Sequence, residues 1–286
     1  MPLATSTPPA SETTLRVWIG GERFSDPAEA RILATDHGLV VGNGVFEALK
    51  VTAAGPFAVR RHLERLNRSA AALALPLPDH RLIRSAIEDL LEGVSLDLGK
   101  IRITYTGGPG PLGSQAAYGP PNLVVALDAA TPAASSAHVV TAPWSRNERG
   151  AMAGVKSTSY AENVRVLAFA TAHGASEGVL LNTRGQVCEG TGSNVFAVFG
   201  DTVVTPPLAA GPLAGITREL VLEWCDVVER DFTLADAFEA DEVFLTSSLR
   251  DVQPVHRWDE TGFGPHPVTD VIARTFRERS GADLDP

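Results

Sequence analysis

Apolar and polar residues alternate with period two through the first quarter of the chain, shift to helical spacing, and alternate again from about residue 178. Residues 15–19 and 22–24 flank Gly20-Gly21 and predict a β-hairpin. Residues 45–51, a turn over 52–56 and residues 57–59 predict a second pair of strands. Between 61 and 75 the apolar positions Leu63, Leu66, Ala70 and Leu73 recur at helical spacing with arginines opposite, which predicts an amphipathic helix; residues 81–91 predict another. Residues 101–106 and 122–127 read as strands. Further on, a helix is expected over 158–174, stopped by Gly174, and then a meander of strands at 178–181, 186–189, 193–199 and 202–205. A helix over 216–228, a strand over 242–246 and a terminal helix over 268–279 complete the pattern.

This pattern predicts a mixed α/β (α+β) chain in two units. Residues 15–130 form a small α/β domain and 137–286 a larger, strand-dominated one. The small polar run 131–136 is expected to be the linker, and the Pro-, Ser- and Thr-rich residues 1–14 a disordered extension.

At 286 residues the chain can hold two domains, and its 44% hydrophobic content is that of a soluble globular protein. A net charge of −10 leaves no basic face for nucleic acid or for an anionic membrane. No apolar run reaches 18 residues, so no spanning helix is expected and the cytoplasm is the expected location. Cys188 and Cys225 are isolated and the seven histidines scattered, so no metal site is expected.

Only three lysines (Lys50, Lys100 and Lys156) stand among 24 basic side chains, so each lysine draws notice. Lys156 opens a run of small hydroxylated residues, 157–159. A partly desolvated amine there can form a Schiff base, which arginine cannot; a solvated surface lysine fits the segment equally well. Glu189 precedes Gly190-Thr191-Gly192-Ser193, where a ligand could approach the backbone, or where the glycines merely serve a solvated turn. Residues 212–218 place Gly215, Ile216 and Thr217 at a helix start, an ordinary N-cap or an anion site. The hydroxyls of Thr246, Ser247 and Ser248 follow a strand and could hold a phosphate. Arg250 could bind a substrate carboxylate or pair on the surface. A Schiff-base lysine, an acid for a heterocycle nitrogen and an anion-binding helix start together are what pyridoxal 5'-phosphate (PLP) requires.

Ordered anchors carry a resemblance that spans nearly the whole chain. They are His37-Gly38, Gly42-Asn43-Gly44-Val45-Phe46-Glu47, His62-Leu63-Glu64-Arg65-Leu66, Val155-Lys156, Glu189-Gly190 with Ser193-Asn194-Val195-Phe196, Gly215-Ile216-Thr217-Arg218, and Asp241-Glu242-Val243-Phe244 with Pro254-Val255. In these the chain resembles the class IV, or fold type IV, PLP-dependent aminotransferases. That group includes branched-chain, D-amino-acid and (R)-amine transaminases and aminodeoxychorismate lyases. The resemblance implies a small N-terminal α/β domain, a larger domain with a β-barrel-like core, a site between them and a homodimer with its active sites near the interface. It implies that Lys156 is the catalytic, cofactor-holding lysine and that Glu189 faces the pyridine nitrogen. Arg65, Ile216, Thr217, Ser247 and Ser248 are implied to hold the phosphate, and Leu213 to pack on the ring.

The departures bear on substrate. Phe46 stands where D-amino-acid transaminases commonly have tyrosine, and Gly108-Pro109-Gly110-Pro111-Leu112-Gly113 replaces their carboxylate clamp. Ser159 replaces an asparagine of enterobacterial lyases. Phe46, Leu112 and Arg250 are therefore the substrate-side candidates. The expected activity is amino-group exchange between an amino acid, favoured as a D-amino acid, or an (R)-amine and a 2-keto acid. Aminodeoxychorismate lyase and branched-chain L-amino-acid aminotransferase are the alternatives.

Overall fold

The computed structural model describes residues 15–286; the extension expected over residues 1–14 lies outside the described residues. Six strands and three helices of the first half build one sheet and its cover. Strands β1 (Arg16–Ile19), β2 (Glu22–Phe24), β3 (Gly44–Thr52), β4 (Gly55–Pro56), β5 (Leu98–Thr106) and β6 (Asn122–Ala129) form an antiparallel sheet in the order β2-β1-β6-β5-β3-β4. After the short helix α1 (His37–Val40), α2 (Val59–Ala72) and α3 (His80–Leu91) cover one face. Helix α2 turns Leu63, Leu66 and Ala70 onto Val45, Leu49 and Ile103, all fully buried. Each such leucine removed from water contributes about 1.5–3 kcal/mol.

The second sheet takes its strands from the rest of the chain. These are β7 (Ala137–Arg146), β8 (Glu177–Asn182), β9 (Val187–Gly190), β10 (Asn194–Phe199), β11 (Thr202–Thr205), β12 (Val227–Glu229), β13 (Glu242–Ser247), β14 (Asp251–Trp258) and β15 (Thr261–Gly262). Their order is β12-β11-β10-β13-β14-β7-β8-β9, with β15 pairing β14. Helices α4 (Ala161–Ala172), α5 (Ile216–Trp224), α6 (Leu234–Phe238) and α7 (Pro267–Ala282) accompany it. Phe196 and Phe244 stack across β10 and β13 with ring centroids 4.6 Å apart, at the centre of the core shared with α5 and α7. Such a pair adds about 0.5–1.5 kcal/mol beyond its area. No helix of the described residues is long and apolar enough to cross a membrane.

Four local expectations change. Residues 57–59 are not a strand: Ala58 takes φ 55° and helix α2 starts at Val59. Phe57 and Ala58 are drawn out of the strand path by burial against Phe276 of α7. Residues 158–160 do not begin α4, because Thr158 N–H donates to the Gly44 carbonyl (2.8 Å) and its hydroxyl to that of Gly42 (3.0 Å). Hydroxyl side chains bonded to nearby backbone compete with helix in this way. Helix α5 stops at Trp224, and Val227–Glu229 pairs parallel with β11 instead. Strands β7 and β14, absent from the sequence reading, lie side by side inside the sheet. Each carries a proline, Pro143 and Pro254, that weakens the strand signal.

The segment bearing Lys156 is held by the first sheet although it belongs to the second half of the chain. Phe46 N–H of β3 donates to the Lys156 carbonyl (2.9 Å), and Lys156 N–H donates to Ser69 Oγ on α2 (3.2 Å). Lys50 of β3 is buried and grips Asp251 at the head of β14, with Nζ at 2.6 and 2.7 Å from the two carboxylate oxygens.

Candidate active site

A cavity of about 370 Å³ opens where these contacts bring the two sheets together. Arg65, Lys156, Glu189, Leu213, Ile216, Thr217, Ser247 and Ser248 all line it, from six separate stretches of chain. Phe46 is buried behind Lys156, whose Nζ lies 4.3 Å from the Phe46 ring centroid and 6.0 Å from that of Tyr160. Among the described residues no carboxylate forms an ion pair with Lys156. Burial, reinforced by the Arg65 charge and opposed by Glu47 and Glu189, lowers its amine from 10.5 to about 8. A minor but useful share of the amine is thus neutral near pH 7, rising to half near pH 8, as a nucleophile or proton carrier requires.

Glu189 ends β9 with its carboxylate turned to the cavity. Its Oε2 accepts from Leu213 N–H (2.9 Å), and its Oε1 lies 3.2 Å from Arg146 Nε. Burial raises the Glu189 carboxyl, against the pull of Arg146. Arg146 also pairs with Glu162 on α4 and so bridges that helix to the acid. Tyr160 Oη (2.9 Å) and Asn163 Nδ2 (2.6 Å) both donate to the Thr191 carbonyl and tie α4 to the turn that follows Glu189.

At the far end, helix α5 starts at Gly215 without a side-chain cap, so its first N–H groups lack that acceptor. A Cβ at Gly215 would overlap Asn194 Oδ1, so glycine is required for the close approach of this helix start to β10. Facing it, Thr246 is buried and its hydroxyl has no partner among the described residues. Free N–H groups, an orphaned hydroxyl, Ser247, Ser248 and Arg65 make a donor-rich end suited to a dianion. The residues present therefore fit PLP: donors for the phosphate at one end, Glu189 for a ring nitrogen, and the Lys156 amine for the aldehyde.

Arg65 is positioned by a carboxylate that the sequence reading left without a role. Its Nε and Nη2 donate to Glu47 at 2.8 and 2.6 Å, and its Nη1 to the Ala214 carbonyl at 2.8 Å. Glu47 is fully buried and also bonds His62 Nδ1 at 2.7 Å. Burial alone would raise Glu47, but Arg65 and then His62 outweigh it and bring the carboxyl down to about 2.

None of the three substrate-side candidates, Phe46, Leu112 and Arg250, lines the cavity. The Arg250 guanidinium is taken by Glu177 (3.0 Å) and Gln253 (2.9 Å). Leu112 stands outside the cavity and is 79% exposed. Sequence reasoning left Arg102 without a role. The Arg102 guanidinium lies 3.9 Å from the Phe46 ring centroid and makes no ion pair among the described residues. Its place in the alternating strand β5 was the one available signal.

Residues 44–258 match the family model described as amino-transferase class IV. A Methanocaldococcus jannaschii protein assigned as a branched-chain-amino-acid aminotransferase is 32% identical over 256 residues, covering 86% of this chain and 88% of that protein. The bifunctional aminodeoxychorismate lyase / D-amino acid transaminase of Mycobacterium tuberculosis is 30% identical, covering 90% of this chain and 96% of that protein. Among solved structures, the branched-chain aminotransferase of Thermoproteus uzoniensis with norvaline superposes with a TM-score of 0.86 at 26% identity, covering 92% of this chain and 93% of that one.

Proposed function

The chain belongs to the class IV aminotransferases, and from that premise we propose that it exchanges an amino group between a D-amino acid and a 2-keto acid with PLP as cofactor. The observation that carries this reading is the convergence of Lys156, Glu189 and the uncapped start of α5 on one cavity. When bound, PLP supplies an aldehyde for an amine and a ring that withdraws electrons from the substrate. Lys156 holds the cofactor through Nζ and then carries the substrate α-proton, a task matched by an amine near pKa 8. Glu189 keeps a proton at the ring nitrogen. The α5 start, Thr217, Ser247, Ser248, Thr246 and Arg65 hold the phosphate, and Leu213 packs on the ring.

We assign the substrate carboxylate to Arg102, which like Arg250 lies outside the cavity lining but makes no ion pair among the described residues and stacks on the Phe46 ring that Lys156 Nζ also approaches. In this reading residues 15–130 and 137–286 act as two domains joined through 131–136, two copies form a homodimer and the enzyme works in the cytoplasm. Exposed Ile32, Leu33, Leu39 and Tyr118 supply apolar surface for the second copy.

A branched-chain L-amino-acid substrate is the second reading, favoured by the relatives from M. jannaschii and T. uzoniensis and by Phe46. Absorbance of the PLP-loaded protein, recorded with D-alanine or L-leucine and no keto acid, separates the two. D-alanine is expected to change the cofactor band and release stoichiometric pyruvate. A response to L-leucine alone selects the branched-chain reading. Silence to both, with 4-aminobenzoate formed from aminodeoxychorismate, selects the lyase. Arg102→Met is expected to raise KM for the keto acid by about 10- to 100-fold, the worth of a charge-assisted hydrogen bond. An unchanged KM removes Arg102 from the substrate site.

A further inference from the structure

Arg250 and Glu177 lie outside the cavity lining, and between them touch the turn that follows Glu189 and the turn that carries Ser247 and Ser248. Glu177, at the start of β8, is 1% exposed. One carboxylate oxygen accepts from Thr191 N–H (2.9 Å) and from the Thr191 hydroxyl; the other accepts from the Ser193 hydroxyl (3.1 Å) and Arg250 Nη2 (3.0 Å). These donors belong to the turn between Glu189 and Asn194. The carbonyl of the same Thr191 receives Tyr160 and Asn163, four and seven residues beyond Lys156. Arg250 closes the turn that carries Ser247 and Ser248, and its N–H donates back to Ser247 Oγ (3.4 Å). Its other contacts, Gln253 Oε1 (2.9 Å) and the Ser176 carbonyl (3.4 Å), hold the guanidinium against β8. The next residue, Asp251, sits at φ 53° and is gripped by Lys50 from the first sheet.

We propose that Arg250 and Glu177 are positioning residues for the cofactor. Their ion pair locks the Ser247-Ser248 hydroxyl turn to the Glu189–Asn194 turn, so that the phosphate donors and the ring-facing acid are set as one unit. The physical reason is that the β10–β13 ladder ends at Asn194 opposite Thr246, and beyond it residues 191–193 and 248–250 are irregular backbone whose spacing no ladder fixes. A buried carboxylate with three donors from one turn and a guanidinium from the other supplies that spacing. The proposal rests on the PLP reading above.

Its test uses the full-length protein, stripped of cofactor and titrated with PLP by absorbance and fluorescence. Arg250→Met and Glu177→Gln are each expected to weaken PLP binding by about tenfold, the worth of one charge-assisted hydrogen bond. The double variant should lose little more than either single one, because the two act through one pair. Arg250→Lys, which reaches Glu177 with a single donor group, should restore part of the loss. KM for the keto acid in PLP-saturated Arg250→Met should stay within about twofold of wild type, since the residue is held off the substrate side. If the variants bind PLP as wild type does, the pairing role is overturned and the PLP reading stands. If Arg250→Met raises only the keto-acid KM, Arg250 is a substrate binder and the proposal is overturned. If wild-type protein takes up no PLP, the cofactor reading fails and this proposal fails with it. Thermal melting of each stripped variant against wild type shows that a loss of PLP affinity is not a loss of folded protein.

Discussion

Lys156→Ala is expected to abolish turnover, with a loss of about 10⁴-fold or more, because one side chain both holds the cofactor and moves the substrate proton. The amine needs to be unprotonated to do either. At a pKa of about 8, against an ordinary 10.5, roughly one molecule in ten carries a neutral amine at pH 7. Lys156→Arg should fare no better than alanine, since guanidinium stays protonated and forms no imine. In the cofactor-free protein, the rate at which Lys156 reacts with a simple aldehyde should rise with pH to a midpoint near 8. A midpoint at 10.5 would show that the amine is ordinarily solvated. The sign of the linked stability term follows. The folded protein binds this proton less tightly than the unfolded chain, so the term costs stability below about pH 8 and the cost fades as pH rises toward 10.5. Sustained multiple turnover by Lys156→Ala without added amine would falsify the assigned role.

The largest effect on stability is expected at Glu47. Its carboxylate is wholly buried between β3 and α2 and takes two bonds from Arg65 and one from His62. Glu47→Ala leaves the Arg65 charge buried without its partner, a change that costs about 3–5 kcal/mol. Urea unfolding of the cofactor-free protein measures it, and a loss below about 1 kcal/mol, the value of an exposed pair, would mean that water reaches the site. The pH dependence has a defined direction. Glu47 is depressed from 4.5 to about 2, so its contribution is complete above about pH 4.5 and is lost as pH falls toward 2. The same variant should weaken PLP binding, because Arg65 loses the carboxylate that aims it and keeps only the Ala214 carbonyl.

Much of the cofactor end was legible in the chain itself. Lys156, Glu189, Arg65, Leu213, Ile216, Thr217, Ser247 and Ser248 were named from local chemistry and from the ordered anchors, and all eight line one cavity. Except for Arg65, which lies within helix α2 and was named from the anchors alone, each sits near glycines, hydroxyls or a strand end, which mark the backbone where a ligand can approach. The substrate side was not legible. Arg250 looked free because it follows a hydroxyl-rich turn, whereas Glu177, 73 positions away in sequence and opposite it in space, takes its charge. Arg102 looked like an ordinary outward residue of an alternating strand. Glu47 stood in the same apolar strand as Val45 and Leu49 without any local sign that Arg65 lay behind it.

The sequence by itself determined the strands and helices whose periodicity is set by a single buried face, such as β3, β5, α2 and α3, and the types of residue the cofactor needs. The tertiary structure decided what those residues face. It drew 57–58 out of a strand and 158–160 out of a helix, joined β7 to β14, and consumed Arg250 while leaving Arg102 without an ion pair among the described residues. The physical reason is range. Periodicity and turn chemistry act over a few residues, whereas the partner of a charge or of a backbone N–H is chosen by whichever group folding brings within about 3 Å, at any distance along the chain.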